Sequence, residues 1–194
     1  MDTIKYGVIG LGWFGEKHCE ALSGLPNVEL HSLCTRTGSR LADVAERFGV
    51  AKTFTDYHEM LADPELEAVS ITTMWDQHRE PALAALEAGV HVFLEKPMAS
   101  TLADCDAIVE AARAAKGHFM VGHICRFNPR YAAAKEAIAA GRIGRIVSMY
   151  ARRNLPAWVG ASVLDKIGPI IGDGVHDTDL MFWFSESKAV SAYA

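Results

Sequence analysis

Short apolar segments alternate with segments of helical spacing over the first two-thirds of the chain, and this alternation restricts the fold more than any other feature of the sequence. Parallel neighbours in a sheet need a long crossover, usually a helix, whereas antiparallel neighbours need only a short turn. The alternation therefore predicts an α/β fold with a doubly wound parallel sheet. The predicted strands are 6–9, 28–33, 53–54, 68–72, 90–94 and 118–121.

The segments between these strands carry helix signals. Predicted helices cover 13–22, 39–48, 80–88 and an alanine-rich stretch that ends at residue 115, with a short further helix after residue 56. Asp56 and either Ser100 or Thr101 are predicted N-caps, since their side chains can accept hydrogen bonds from the first N–H groups of a helix. Gly89 is expected to end the helix before it.

The pattern changes after residue 122. Helices are predicted at 129–140 and 172–184, a long alternating strand at 145–153, a loop at 155–168 and part of a strand at 190–194. About 70 residues with one long strand cannot close a sheet of their own. We therefore expect a complete first domain, residues 1–122, and the incomplete start of an α/β open-sheet domain, residues 123–194, in a chain that is a fragment or a truncated reading frame.

Charge and composition exclude several classes of protein. The chain has 19 basic and 24 acidic residues, and its net charge of −5 argues against nucleic acid as a partner. We see no run of about 18 apolar residues and no secretory signal, so we expect no membrane span and a cytoplasmic location. The four cysteines form no CxxC pair, which predicts reduced thiols rather than a disulfide framework.

A glycine-rich turn joins the first predicted strand to the first predicted helix. Residues 10–15 read Gly-Leu-Gly-Trp-Phe-Gly, which is the GxGxxG pattern of dinucleotide-binding folds. In that pattern Gly10 permits the tight turn, Gly12 lets the backbone approach a pyrophosphate, and Gly15 lets the helix pack close to the strand. The helix N-terminus offers N–H groups to the anion. The sequence therefore predicts a bound dinucleotide; a purely structural glycine turn is the alternative.

The end of the second predicted strand bears on which dinucleotide binds. The fingerprint expects Asp or Glu about twenty residues on, where it binds the ribose 2′-hydroxyl. Here the chain has Thr35 and Arg36. No carboxylate is present to repel a 2′-phosphate, and Arg36 can pair with one through two parallel hydrogen bonds. The sequence favours NADP(H) over NAD(H), with a solvated loop arginine as the alternative.

Lys96 is a candidate proton-transfer group. Oxidation of a secondary alcohol moves a hydride to a nicotinamide and needs a base for the hydroxyl proton. Lys96 follows the fifth predicted strand, and open α/β sheets bind ligands at the carboxyl ends of their strands. There it can orient the hydroxyl or shuttle its proton, with a solvated strand-end lysine as the alternative. The Lys96–Pro97 bond is a candidate cis peptide, since cis bonds occur before proline.

Three further motifs accompany the glycine turn. They are Glu95-Lys96-Pro97, the sequence Val-Gly-His-Ile-Cys-Arg-Phe-Asn-Pro at 121–129, and the sequence Gly-Asp-Gly-Val-His-Asp-Thr-Asp at 172–179. Together the four motifs resemble the family of glucose–fructose oxidoreductase, inositol dehydrogenase and the rhizopine-catabolism protein MocA. The resemblance runs along the whole chain. It implies an NAD(P)-dependent oxidoreductase that acts on sugars, cyclitols or related polyols, with a Rossmann domain and a second domain whose open sheet floors the substrate site.

The resemblance also implies roles for individual residues. Lys96 and His176 are expected to be catalytic. Many members have an aspartate four residues before the histidine; this chain has Gly172 there and Asp173 one place later. Because a shift of one residue turns a side chain in another direction, either Asp173 takes the catalytic role from a bent loop or that role is absent. A homo-oligomer is expected in full-length form.

The remaining candidates are contacts to the cofactor and the substrate. The expected cofactor contacts are Gly10, Gly12, Trp13, Phe14, Gly15, Thr35, Arg36, Thr72, Thr73, His78, Glu95 and Lys96, and the expected substrate contacts are Arg126, Asn128, Asp173 and His176. No metal site is expected, because the spacing of His176, Asp177 and Asp179 matches no standard zinc pattern. The remaining histidines, including His18, are expected to be structural or solvated.

Three classes of function remain open on this reading. The first is a sugar or polyol dehydrogenase or reductase. The second is an NAD-dependent glycoside hydrolase of the same family, which uses its cofactor only transiently. The third is a non-catalytic dinucleotide-binding fragment, which the replacement at Gly172 favours. Only the first class accumulates reduced dinucleotide when sugars are supplied.

Overall fold

The computed structural model describes residues 3–160 and 165–193. A single parallel sheet of six strands, in the order β3-β2-β1-β4-β5-β6, organises the first part of the chain. The strands are β1 Ile4–Ile9, β2 Val28–Cys34, β3 Lys52–Phe54, β4 Ala68–Ile71, β5 His91–Leu94 and β6 Phe119–Val121. The predicted doubly wound parallel sheet is confirmed.

Helices connect the strands and continue beyond them. They are α1 Trp13–Ser23, α2 Gly38–Phe48, α3 Tyr57–Leu61, α4 Arg79–Glu87, α5 Leu102–Ala114, α6 Pro129–Ala139, α7 Ala157–Val159, α8 Asp165–Ile167 and α9 Val175–Ser185. Short 3-10 turns lie at Trp75–Gln77 and Ile124–Phe127, and a π-helical turn at Ile170–Gly174 precedes α9. The side chains of Asp56 and Thr101 cap α3 and α5 as predicted.

Two apolar clusters cover the two faces of the sheet. Adjacent strand residues point to opposite faces, and each cluster takes one residue from each such pair. Val8 and Leu33 belong to one cluster, and their neighbours Ile9 and Cys34 belong to the other. All four residues of β4 are buried, as expected for a central parallel strand with helices on both sides. The sheet is thus held in place from both faces.

The chain divides into two compact units, Met1–Gly122 and His123–Ala194. We call them the sheet unit and the helical unit. In the helical unit the predicted strands at 145–153 and 190–194 are wrong, because the described residues there form no ladder with another strand. An alternating sequence becomes a strand only when a partner accepts its hydrogen bonds, and no described segment provides one. Residue 194 lies outside the described residues.

Other sequence expectations meet the structure as follows. The predicted loop at 155–168 contains the short helices α7 and α8, while 161–164 lie outside the described residues. All four cysteines are free thiols. In the ranges 3–160 and 165–193, no helix combines the length and the hydrophobicity that a bilayer crossing requires.

Candidate functional site

The residues that follow four neighbouring strands form one row at the carboxyl edge of the sheet. Each continues the ladder by donating its backbone N–H to the last residue of a neighbouring strand, over 2.8 to 3.0 Å. The four donors are Gly10, Thr72, Glu95 and Gly122. Strand order reverses between β1 and β4, which is the point where open α/β sheets bind their ligands. The sheet unit therefore brings the glycine turn and the Glu-Lys-Pro motif to the same edge.

The glycine turn between β1 and α1 has the geometry of a phosphate cradle. Gly10 has a φ of +95°, and a Cβ there would lie 2.7 Å from the backbone nitrogen of Thr73. A Cβ at Gly15 would overlap the carbonyl oxygen of Gly10. A Cβ at Gly12 would meet nothing within 4 Å, and no side chain caps the helix that begins after it. The turn is therefore closed on its protein side and open at Gly12.

Thr72 holds the glycine turn from below. Its hydroxyl lies 2.5 Å from the carbonyl oxygen of Gly10 and 3.2 Å from that of Ile9, and the residue is buried. The hydroxyl is thus engaged with backbone. Thr73 lies at the next position, and its hydroxyl donates to the carbonyl of Gln77 over 3.3 Å. Of the two predicted threonine contacts, Thr72 supports the turn itself.

A cleft of about 310 Å³ opens beside the glycine turn. Gly10, Cys34, Thr35, Arg36, Tyr57 and Gln77 are among its lining residues. The Arg36 guanidinium donates from Nη2 to Oε1 of Gln77 over 2.8 Å, so the guanidinium is held at the rim of the cleft. Thr35 is placed by its backbone N–H, which donates to Phe54 over 3.2 Å. The structure therefore groups the predicted residues of the second strand end around one cavity.

The other two predicted residues of the glycine motif lie on the first turn of α1. Trp13 is largely exposed, while Phe14 is half-buried, and their ring centroids are 5.6 Å apart. Trp75 begins the 3-10 turn after β4 and is half-buried. The exposed aromatic side chain at this part of the glycine motif is therefore Trp13.

The turn after β5 carries Lys96 on a buried support. Glu95 is only 6% exposed, and its Oε2 accepts the backbone N–H of Lys96 over 3.1 Å. The Lys96–Pro97 peptide bond is cis, as the sequence suggested. Lys96 itself is half-buried. The Glu95 carboxylate therefore holds the backbone N–H of Lys96 in place.

His78 ties this turn to the loop after β4. Its ring is 1% exposed, with Nδ1 2.9 Å from the carbonyl oxygen of Pro97 and Nε2 3.0 Å from that of Thr73. Burial lowers the pKa of His78, because an imidazolium separated from water is costly. The structure places His78, a predicted cofactor contact, as a buried link between two loops.

His18 and Arg40 are residues of this region whose roles the sequence did not indicate. Nε2 of His18 lies 3.2 Å from Oε1 of Glu95, and Nε of Arg40 donates to the carbonyl of Leu11 over 2.9 Å. A signal for His18 existed, because it follows Gly15 by three residues and helical spacing puts both on the side of α1 that faces the sheet. Nothing in the sequence pairs it with Glu95, which is 77 residues away.

The helical unit holds the remaining predicted site residues. His176 is buried in the first turn of α9. Asp173 lies on the preceding π-helical turn, where its Oδ2 is 3.3 Å from Nε of Arg153. Arg153 also donates to both carboxylate oxygens of Asp177, each over 2.9 Å, and this pairing raises the pKa of the guanidinium. The Asp173 carboxylate is thus held by an arginine that two carboxylates share.

Arg126 and Asn128, the other two predicted substrate contacts of the helical unit, make internal hydrogen bonds. Arg126 binds both carboxylate oxygens of the buried Asp179, over 2.8 and 2.5 Å, and its pKa is raised by that contact. Nδ1 of His123 lies 3.8 Å from the same carboxylate. The side chain of Asn128 accepts the N–H of Arg130 over 3.0 Å and caps α6.

One cluster of possible metal ligands exists among the described residues, and its members belong to none of the four sequence motifs. It consists of His31, Asp63 and Glu65, whose ligand atoms lie within 4.8 Å of one another. The ammonium of Lys52 already lies 2.7 Å from Asp63 and 2.8 Å from Glu65. That ammonium lowers the pKa of Asp63, so the carboxylates are balanced by a protein cation.

Comparisons with known proteins agree with the fold of the sheet unit. The family model GFO_IDH_MocA, described as an oxidoreductase family with an NAD-binding Rossmann fold, matches residues 4–123. Inositol 2-dehydrogenase of Salmonella typhimurium is 30% identical over 98% of this chain and 58% of its own length. Inositol 2-dehydrogenase of Acidothermus cellulolyticus is 35% identical over 96% of this chain and 54% of its own length.

A solved structure shows the same architecture. Scyllo-inositol dehydrogenase of Lactobacillus casei, with bound NAD(H) and scyllo-inositol, superposes with a TM-score of 0.84 and 26% identity. The match covers 95% of this chain and 57% of that one. The chain therefore spans somewhat more than half the length of the relatives it matches.

Proposed function

The chain belongs to the Gfo/Idh/MocA oxidoreductase family, and we propose that it transfers a hydride between a nicotinamide dinucleotide and a hydroxyl or keto carbon of a cyclitol, sugar or related polyol. One observation carries the proposal. The glycine turn after β1 and the Lys96 turn after β5 lie at the same edge of the sheet, separated only by β4. A pyrophosphate site at the switch point and a proton-transfer group at the same edge of the sheet are what this chemistry requires.

The residues of the glycine turn fit a dinucleotide. The space at Gly12 admits a pyrophosphate, while the crowding at Gly10 and Gly15 fixes the turn that surrounds it. The uncapped N-terminus of α1 supplies N–H donors and a favourable dipole. When bound, the dinucleotide supplies the hydride acceptor or donor. The protein supplies binding, orientation and proton transfer.

Lys96 is assigned the contact to the reacting hydroxyl. Its backbone is held by Glu95, so its ammonium is presented from a fixed base. In the helical unit, His176 is assigned proton exchange, with Asp173 assisting. Because residue 172 is glycine, the assisting carboxylate is that of Asp173, which Arg153 also binds. Arg126 and Asn128 are assigned to substrate binding or to shaping that region.

NADP(H) is the preferred dinucleotide in this proposal. Arg36 is held at the rim of the cleft beside the glycine turn. It follows β2, where the fingerprint has a carboxylate. A guanidinium pairs with a 2′-phosphate, whereas a ribose 2′-hydroxyl gives it little to bind. Arg36→Ala should therefore raise the dissociation constant of NADP(H) more than that of NAD(H). Arg113→Ala, an exposed arginine on α5, is the control and should change neither constant.

The substrate class rests on the relatives. Two of them are named inositol 2-dehydrogenases, and the solved scyllo-inositol dehydrogenase holds a cyclitol. The chain should be incubated with NADP+ or NAD+ and a panel of inositols and sugars, while the absorbance of reduced dinucleotide is followed. Accumulation of NADPH or NADH supports the proposal. Glycoside cleavage without reduced dinucleotide, or dinucleotide binding without any turnover, contradicts net oxidation or reduction of a polyol by this chain.

The glycine turn can be tested separately from turnover. Gly12→Val should abolish dinucleotide binding while the fold is retained, because position 12 has an ordinary extended backbone and open space around it. Gly24→Val, at the other end of the same helix, should bind as the wild type does. Unchanged binding by Gly12→Val would refute the pyrophosphate site.

A further inference from the structure

A partly buried hydrogen-bonded pair connects the helix of the glycine turn to the turn that carries Lys96. Nε2 of His18, on α1, lies 3.2 Å from Oε1 of Glu95. The other carboxylate oxygen of Glu95 accepts the backbone N–H of Lys96 over 3.1 Å. One carboxylate thus binds a side chain of the phosphate-binding helix and the backbone of the next residue. A buried carboxylate is costly without partners, so these contacts decide where it sits.

Neighbouring residues restrict the positions of the His18 ring and the Glu95 carboxylate. The His18 ring packs against Phe14 and Phe93, with centroid distances of 5.4 and 5.3 Å. A Cβ at Gly122 would lie 2.7 Å from Oε1 of Glu95, so the carboxylate fills a slot that only glycine leaves open. The side chains of α1, β5 and the end of β6 therefore converge on this pair.

The hydrogen bonds continue from the pair into the sheet. Nδ1 of His18 lies 2.9 Å from the hydroxyl of the buried Ser70, whose hydroxyl is 3.2 Å from that of Tyr6. Burial raises the pKa of Tyr6, so the phenol stays neutral. Both ring nitrogens of His18 are therefore engaged, one with strand β4 and one with the end of β5. This anchors the ring against rotation.

We propose that His18 and Glu95 are positioning residues that couple occupation of the glycine turn to the placement of Lys96. The inference rests on the proposed function, since it assumes that a pyrophosphate binds at the turn. His18 follows Gly15 by less than one helical turn, so a small adjustment of α1 around an anion is passed through the ring to the Glu95 carboxylate. That carboxylate holds the Lys96 N–H, and the Lys96 turn moves with it.

The contact between the two side chains is polar, while the His18 ring packs against Phe14 and Phe93. Removing the hydrogen bonds while keeping the shape of the ring therefore tests the coupling with little change in packing. His18→Phe does this, because phenylalanine preserves the packing against Phe14 and Phe93 and lacks both nitrogens. Glu95→Gln keeps the shape of the side chain and leaves one oxygen where there were two.

The experiment measures how fast an amine-reactive acetylating reagent, at limiting concentration, modifies Lys96, with Lys116 on the same protein as the internal reference. Peptide mass spectrometry gives the rate with and without ADP-ribose. ADP-ribose carries the pyrophosphate but no nicotinamide, so it does not place a nicotinamide ring over Lys96. In the wild type we expect ADP-ribose to change the Lys96 rate by about two- to thirtyfold, the range over which coupling between sites is commonly modulated. The reference lysine should not respond.

In His18→Phe the response of Lys96 to ADP-ribose should disappear, while the dissociation constant of ADP-ribose stays close to that of the wild type. His18→Gln, which keeps an N–H donor toward Glu95, should restore part of the response. His58→Phe, an exposed histidine on α3, is the control and should respond as the wild type does. If His18→Phe does not fold, as judged by circular dichroism, Glu95→Gln provides the same test.

A wild-type response that survives in both His18→Phe and Glu95→Gln overturns the coupling. So does a wild-type Lys96 rate that ADP-ribose leaves unchanged. These outcomes are distinct from failure of the proposed function. Absence of turnover with the coupling intact contradicts hydride transfer only, whereas turnover without the coupling contradicts only the role of the pair.

Discussion

The sheet unit and the helical unit bury different kinds of residue. In the sheet unit the buried residues are mainly aliphatic and form two clusters on the faces of one sheet. In the described part of the helical unit, the buried residues are Gly172, His176, Asp179 and Leu180, so only one of them is a large apolar side chain. The first unit is stabilised by an apolar interior, and the second by charged hydrogen bonds around α9.

The two units therefore differ in which interactions can stabilise them. The sheet unit hides its apolar residues from water, which is the main favourable contribution to folding. The helical unit leaves Val147 and Tyr150 84% and 88% exposed, and its ordered contacts come from Arg126, Arg153 and Lys135 bound to carboxylates. Exposed ion pairs contribute little to stability, and paired charges gain only where they are partly buried. We therefore expect the two units to respond to different substitutions.

The largest effect is expected from a cavity in the sheet unit. Leu33 is fully buried on β2, and Leu33→Ala should lower the free energy of unfolding by about 2–5 kcal/mol. Leu180→Ala is the matched substitution in the helical unit, where it removes the same atoms from α9. It should cost clearly less, because Leu180 belongs to neither apolar cluster and is the only large apolar side chain buried in the described part of the helical unit. Urea unfolding followed by circular dichroism measures both.

Equal losses in the two leucine variants would break the comparison, since they would show that Leu180 lies in an interior as well packed as that around Leu33. Hydrogen exchange of peptides from each unit identifies where the loss occurs. The Leu33→Ala loss should appear in peptides of β1, β2 and β4. The Leu180→Ala loss should stay within peptides of α6 and α9.

Removing the charge of the buried carboxylate in the helical unit should have the next largest effect on the free energy of unfolding. Asp179→Asn removes the charge that Arg126 binds through two hydrogen bonds. Such bonds contribute about 1.5–3 kcal/mol, and because the Arg126 side chain is 41% exposed, screening by water places the expected loss at about 1–2 kcal/mol. Faster hydrogen exchange in α9 and the Ile124–Phe127 turn should report it. Unchanged exchange there would show that Asp179 does not hold the unit.

The same contrast explains how far the sequence predicted the structure. The strands and helices of the sheet unit follow from local patterns, since the apolar run of the central strand β4 is buried and caps such as Asp56 and Thr101 act within a few residues. The strand predicted at 145–153 depends on a partner strand, which no local pattern contains. The pairing of His18 with Glu95 could not be predicted for a related reason, because 77 residues separate two groups that only the sheet brings together.

Lowering the pH should destabilise the sheet unit through protonation of His78. The pKa of His78 is lowered by burial, whereas in the unfolded chain a histidine titrates at about 6.5. The unfolded state therefore binds more protons below that value, and the contribution of His78 is complete above about pH 6.5 and is lost as the pH falls toward the folded-state pKa. The midpoint of urea unfolding should decrease over this range. His78→Gln should show a smaller decrease, and His58→Gln, an exposed histidine, should behave as the wild type does.

The smallest effect is expected at an exposed ion pair of the sheet unit. Lys17 and Glu20 lie three residues apart on α1, with their charged groups 2.7 Å apart and about half of each side chain exposed. Glu20→Gln should lower the free energy of unfolding by at most about 0.5 kcal/mol, because water already solvates both charges and salt screens them. A loss as large as that in Asp179→Asn would show that ion pairs stabilise both units alike. A negligible loss would show that the contribution of a carboxylate depends on burial, which Asp179 has and Glu20 does not.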